Sequence, residues 1–133
     1  MILWFGLAVV LAALVYVRLA PSDASRWHVV PEFSADKDFP GGAVRLISPG
    51  PDGLARLDGV ARETARTKVL AGSVEEGMVT YITRSLVIGF PDYTTVLQDG
   101  DQLRIYARHR FGRSDFGVNH ARISRWIKVL QTR

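Results

Sequence analysis

Five arginines, two glycines and a single carboxylate share the nineteen residues RHRFGRSDFGVNHARISRW, 108–126. Guanidinium groups at this density suit two chemistries. They can grip an anion with forked, two-point hydrogen bonds, or they can brace a corner of the chain by pairing with an internal carboxylate. Gly112 and Gly117 admit backbone geometry closed to other residues, and a helix beginning near Asn119 offers free amides at its positive end. Such a junction can receive a phosphate or a carboxylate. Asp115 is already tethered there, however, and an attached anion competes at high effective concentration with a free one.

The corner is therefore expected to be a brace. Asp115 sits near Arg108, Arg110, Arg113 and the helix amides and pairs with an arginine among them, Asn119 caps the last helix, and Asp92 takes another arginine across the sheet. Guanidinium groups left over, Arg104 foremost, would face outward. Arg104, Arg110, Arg113, Ser114, Gly117 and Arg122 are the expected contacts to a partner or an anion.

Other chemistries find less support. Ser114, Asp115 and His109 or His120 are the residue types of a hydrolytic triad, but no nucleophile elbow surrounds the serine, which reads as a turn residue. His28, His109 and His120 are scattered, with no carboxylate at ligand spacing on a shared helix. A glycine-rich phosphate fingerprint is missing. No catalytic residue, metal or cofactor is expected, and nucleic acid is not expected as a partner.

Charge is unevenly spread. Residues 104–133 hold eight basic side chains against one acid, +7, and residues 1–103 hold nine against twelve, −3. A basic end of this kind suits anionic lipid head groups or an acidic protein surface. At the other end, MILWFGLAVVLAALVYV, residues 1–17, carries no charged side chain before Arg18. With Arg18 snorkelling, residues 1–20 are expected to form an uncleaved single-pass anchor in the lipid bilayer. A cleaved signal peptide would start with a basic residue and end in a small-residue site, and neither is well formed here. Arg18 and Arg26 favour a cytoplasmic body by the positive-inside tendency. The absence of cysteine fits either compartment.

The elements that must position these residues follow from period and punctuation. Residues 21–41, with three prolines from Pro21 to Pro40, read as an extended linker with docking side chains such as Trp27 and His28. GAVRLI, 42–47, is a short strand, and the segment from Leu54 to Val69 has helical spacing, with Asp52 before it as cap. Gly59 within that helix is expected to admit a neighbouring backbone. Strands are expected over 67–72, 78–90, 92–98 and 102–110, the last two joined by a tight turn at Asp99-Gly100. Ile123, Trp126, Ile127 and Leu130 define a final helix. The expectation is an α+β domain over 42–133, two layers thick, with a mostly antiparallel sheet of four to five strands. Two helices cover one face, and the other is free to carry arginines.

Two phrases carry a resemblance. Gly89-Phe90-Pro91-Asp92, and the spaced set Arg110, Gly112, Ser114, Asp115, Gly117, Asn119 and Arg122, resemble the bacterial domain-of-unknown-function family numbered 1499. Where many members carry serine, this chain has Ala107 and His109, and it lacks their N-terminal cysteine. The family has no assigned activity. Its membrane-anchored members imply a bacterial inner-membrane protein with an exported, periplasmic domain. The expected function is that of a non-catalytic accessory protein that binds a membrane-associated protein partner through the arginine face. The alternative is a module for an anionic small molecule or lipid head group at the Gly112–Asn119 loop.

Overall fold

Side chains alternate along a strand, so one register row after another sorts this sheet into an apolar face and a polar one. The computed structural model of the protein describes residues 1–112 and 114–133. An apolar helix α1 (Ile2–Leu19) and a four-residue helix α2 (Ala24–Trp27) come first. The strands β1 (Lys37–Phe39) and β2 (Gly42–Ile47), helix α3 (Gly53–Arg62), and strands β3 (Thr67–Ser73), β4 (Met78–Arg84), β5 (Pro91–Asp99) and β6 (Gln102–His109) follow, then helix α4 (Val118–Thr132). All six strands pair antiparallel in one open sheet, in the order β1-β2-β6-β5-β4-β3.

Ala43, Ala107, Thr94, Tyr81 and Val69 form one register row, and Ile105, Val96 and Val79 another. All of these except Thr94 join Leu54, Leu57 and Val60 of α3 and Ile123, Trp126 and Leu130 of α4 in the main core. Fully burying one such leucine or isoleucine is worth ~1.5–3 kcal/mol. Both long helices thus lie on one face, as their spacing requires.

The sheet has six strands rather than four or five. Lys37-Asp38-Phe39 offers a single apolar residue and no alternation to read, yet it pairs with Val44, Ala43 and Gly42. An added Cβ at Gly42 would lie 1.9 Å from the Ala107 carbonyl oxygen, so only glycine lets β2 approach β6 there. The segment expected as linker therefore contains both a helix turn and an edge strand.

The strand expected over 78–90 stops at Arg84. Ser85 folds the next residues into a loop, its Oγ accepting from the Gly89 and Phe90 amides at 3.0 and 2.9 Å. Helix α3 ends at Arg62, not near Val69, and Arg66 turns the chain into β3 with φ of +56°. Asp52 makes no side-chain cap; Gln98 of β5 accepts from the Leu54 amide instead. Nothing lies within 4 Å of a Cβ added at Gly59, so close backbone approach does not account for that glycine.

The second face is covered in part: Lys68 stays exposed at its β3 edge. Residues 20–28 cross it as a strap. Trp27 stacks on Tyr93 of β5 with ring centroids 4.0 Å apart, Ser22 bonds the Tyr93 hydroxyl at 2.7 Å, and His28 Nδ1 meets Thr80 Oγ1 at 2.8 Å. Beneath the strap, Thr80 and Thr95 are fully buried and bonded to each other.

Candidate functional site

At the Gly112–Asn119 corner, neither Arg108 nor Arg110 reaches Asp115, whereas the helix amides expected beside it do. Its described partners are N–H groups: the Gly117 amide at 2.9 Å, the Asn119 amide at 3.0 Å and the Asn119 side chain at 2.8 Å. Among the described residues no guanidinium lies within ion-pair reach of it. Asp115 thus caps α4 and neutralises its positive end, occupying the amides an anion would need. Burial pushes its carboxyl up, but the hydrogen bonds from Asn119 and Gly117 outweigh this and hold it below the usual carboxylate range. Asn119 is not the cap residue; it sits in the first turn, fully buried, between Asp115 and Arg122. Ser114 Oγ accepts from the Phe116 amide, a turn contact. Arg113 lies outside the described residues.

The remaining expected contacts are also internally bonded. Arg122 is buried; it bonds Asn119 Oδ1 at 2.8 Å and pairs with Asp92 at 3.2 Å. Asp92 therefore takes its arginine from the helix, not from across the sheet. Burial raises the Asp92 carboxyl above its ordinary value, with Arg122 opposing only in part. Arg110 donates to the Pro21 carbonyl at 2.9 Å and to the Tyr93 hydroxyl. Arg104 does not face outward unpaired: it donates to the Phe33 carbonyl at 2.6 Å, pairs with Asp99 at 3.3 Å and lies over the Phe33 ring. It lines a cavity of about 640 Å³ with Glu32 and Asp99, where two carboxylates outnumber the one cation.

Arg108 departs furthest from expectation. It is 5 % exposed under the strap, donates to the Trp27 carbonyl, to Thr95 Oγ1 at 2.8 Å and to the Tyr106 carbonyl at 3.0 Å, and lies 4.2 Å from the Tyr106 ring centre. No carboxylate among the described residues pairs with it. Burial pushes its guanidinium down to about 10, which still leaves it charged at neutral pH.

Surplus charge gathers elsewhere. Lys68, Ile82, Tyr93 and Arg108 are register neighbours across β3, β4, β5 and β6, and Arg66 and Arg84 lie one step further toward the loop end. Arg18, in the last turn of α1, closes this corner into a cleft of about 260 Å³. Arg18, Arg66, Lys68 and Arg84 line it with Ile82, Ser85, Leu86 and Gly89, and no acidic residue is among them.

The cleft's geometry is held by backbone. Arg66 brackets Arg84: its carbonyl accepts the Arg84 amide and its Nε donates to the Arg84 carbonyl, both at 3.0 Å. A non-glycine residue at positive φ costs about 1–3 kcal/mol and persists only where its surroundings hold it. Arg84 donates to the Gly89 carbonyl at 2.9 Å and to the Val17 carbonyl of α1, and Arg18 donates to the Val87 carbonyl. An added Cβ at Gly89 would lie 3.0 Å from Arg18 Cγ, so this glycine lets α1 settle against the loop. These acceptors are carbonyls, which orient the guanidinium groups without cancelling charge. Among the described residues none of the four cations is ion-paired.

The pattern Arg66-x-Lys68 at strand period was the available sequence signal. It was obscured because helical spacing runs through Ala65 and masks the turn at Arg66. Arg18 is separated from these residues by more than forty positions, and only the fold brings it near.

Among known proteins, a family model described as "Protein of unknown function (DUF1499)" matches residues 24–130. No curated protein and no solved structure matches the chain.

Proposed function

From the premise that the chain belongs to the DUF1499 family, a grouping of proteins of unknown function, we propose a membrane-anchored, non-catalytic binding module. It holds the phosphate-bearing head group of an anionic lipid in the Arg18–Arg66–Lys68–Arg84 cleft. Helix α1 is the single-pass anchor in a bacterial inner membrane, and the domain lies on the periplasmic side. The observation that carries this reading is four cations, without an ion pair among the described residues, lining one cleft at the point where the apolar helix ends.

Helix α1 is long and apolar enough to cross a bilayer. Its last turn is tied to the body by Arg18 to Val87 and by Arg84 to Val17, contacts suited to a helix retained in the mature protein. A cleft walled by one sign of charge concentrates anions. Head-group phosphates are the anions present at that depth, and each basic residue near an anionic surface is worth ~1 kcal/mol. The Gly112–Asn119 loop is less suited to this role because Asp115 already takes its amides. An arginine face centred on Arg104 likewise loses its support, since Asp99 and Phe33 hold that side chain.

The test uses the full chain extracted in detergent and native mass spectrometry of the lipid it retains. Phosphatidylglycerol should be retained over phosphatidylcholine, and the double variant Lys68→Gln/Arg84→Gln should weaken that retention by about tenfold or more. Equal retention of both lipids by the unaltered chain would overturn the proposal.

A further inference from the structure

Four large apolar side chains project from two loops at one end of the sheet. Leu86 is 73 % exposed, Val87 78 % and Phe90 40 %, all between β4 and β5; Phe116 is 94 % exposed between β6 and α4. Single exposed apolar residues are ordinary, but clusters of them mark an interaction surface. The two loops are one surface. Asp92 pairs in register with His109, which sets both at the same sheet end, and Phe111 bridges them by contacting the Phe90 ring at 6.4 Å and the Tyr16 ring of α1 at 6.2 Å.

We infer that these loops seat in the interfacial layer of the bilayer that α1 enters, so that the domain docks against the membrane instead of swinging on a tether. The inference rests on the anchor reading proposed above. Depth is set by the chain itself: Arg18 is the first charge after the apolar run, and its guanidinium donates to the Val87 carbonyl. Val87 therefore lies at the level where α1 leaves the hydrocarbon, and Leu86 and Phe90 flank it. Aromatic and aliphatic groups at that level, with cations beside them, match the interfacial zone of an anionic membrane.

Charge along the domain agrees with this orientation. Turns at the opposite end of the sheet carry Asp52, Glu75, Glu76, Asp99 and Asp101 and no basic residue; Arg56 and Arg104 pair with Asp52 and Asp99, which leaves Glu75, Glu76 and Asp101 without an ion pair among the described residues. That acidic end would point away from a negative surface, and the cleft would point toward it.

The chain has no cysteine, so single cysteines can be labelled without background. Spin labels at Val87→Cys, Phe116→Cys, Glu75→Cys and Leu11→Cys would be compared in nanodiscs of phosphatidylcholine, with and without phosphatidylglycerol. Labels at 87 and 116 should collide freely with oxygen and be several-fold less accessible to a water-soluble nickel chelate than the label at 75. Equal nickel access at 75, 87 and 116, with the label at 11 still shielded in lipid, would overturn the docking alone. Nickel access at 11 would overturn the anchor and the docking together. Shielding that persists in pure phosphatidylcholine would support docking even where the head-group cleft fails its own test.

Discussion

Arg108 and Arg84 carry the same side chain and sit two strands apart on one face of the sheet, yet one is consumed by the fold and the other is not. Arg108 lies under Trp27 with carbonyls, a threonine hydroxyl and three aromatic rings around it. Arg84 also meets carbonyls, but in a cleft open to solvent beside Arg18, Arg66 and Lys68. The difference teaches that a carboxylate is not what marks a structural arginine here. Desolvation is the marker: the covered guanidinium is held by carbonyls, a hydroxyl and rings, whereas the cleft cations have no ion pair among the described residues and line a solvent-open cleft.

The largest way to break this contrast is to remove the cover. Trp27→Ala should destabilise the full chain in detergent by about 3–5 kcal/mol, the usual cost of deleting a buried tryptophan. It would also open Arg108 to water. Urea unfolding followed by near-ultraviolet circular dichroism measures the loss. A cost under about 1 kcal/mol would mean that the strap is a loose tether and that Arg108 is no more structural than Arg84.

A second, smaller effect separates two carboxylates that both help position α4. Asp115 titrates below its ordinary value in the folded chain, so its stabilisation is present above the unfolded value of about 3.8 and is lost as pH falls through the folded one. Asp92 titrates above its ordinary value, so its titration favours folding at low pH, and that contribution is lost as pH rises through the raised value. Asp115→Ala should cost about 1–2 kcal/mol at neutral pH, the cost of a lost helix cap, with the deficit shrinking in acid. Asp92→Asn should instead steepen the wild-type loss of stability in acid by removing an opposing titration. Unfolding midpoints measured across the acid range check both. Parallel curves for the two variants would show that Asp115 and Asp92 play the same part.

The apolar face was legible because its signals are local: period two in β4 to β6 and helical spacing in α3 and α4. The family resemblance was legible too, since its phrases are contiguous. The strap was half visible, as Trp27 and His28 stood out in a polar stretch, but its effect on Arg108 was not. That effect depends on the Trp27 carbonyl, and a backbone group carries no sequence signature. Asp115 was singled out for the right corner, but Arg108 and Arg110, two of the arginines expected there, bond elsewhere. Composition shows how many arginines are near in sequence; it does not rank them against the amides at the start of α4, which are the donors on Asp115 among the described residues. The cleft was missed because α1, the turn before β3, β3 and β4 each contribute one cation, and no stretch of sequence holds all four.

The smallest expected effect is the most telling, because it asks whether the cleft cations belong to the fold at all. Lys68 is exposed on β3 and has no ion pair among the described residues. Surface substitutions of this kind stay within about 0.5 kcal/mol. Three other cations surround it, so removing its charge relieves repulsion, and Lys68→Gln should leave stability unchanged or raise it by a few tenths of a kcal/mol. Added salt screens the same repulsion. Salt should therefore stabilise the wild type slightly more than the variant, measured as the shift in unfolding midpoint between low and high ionic strength. A variant that loses more than about 1 kcal/mol would place Lys68 with Arg108, as part of the scaffold, and would leave the head-group cleft without a dispensable charge to offer.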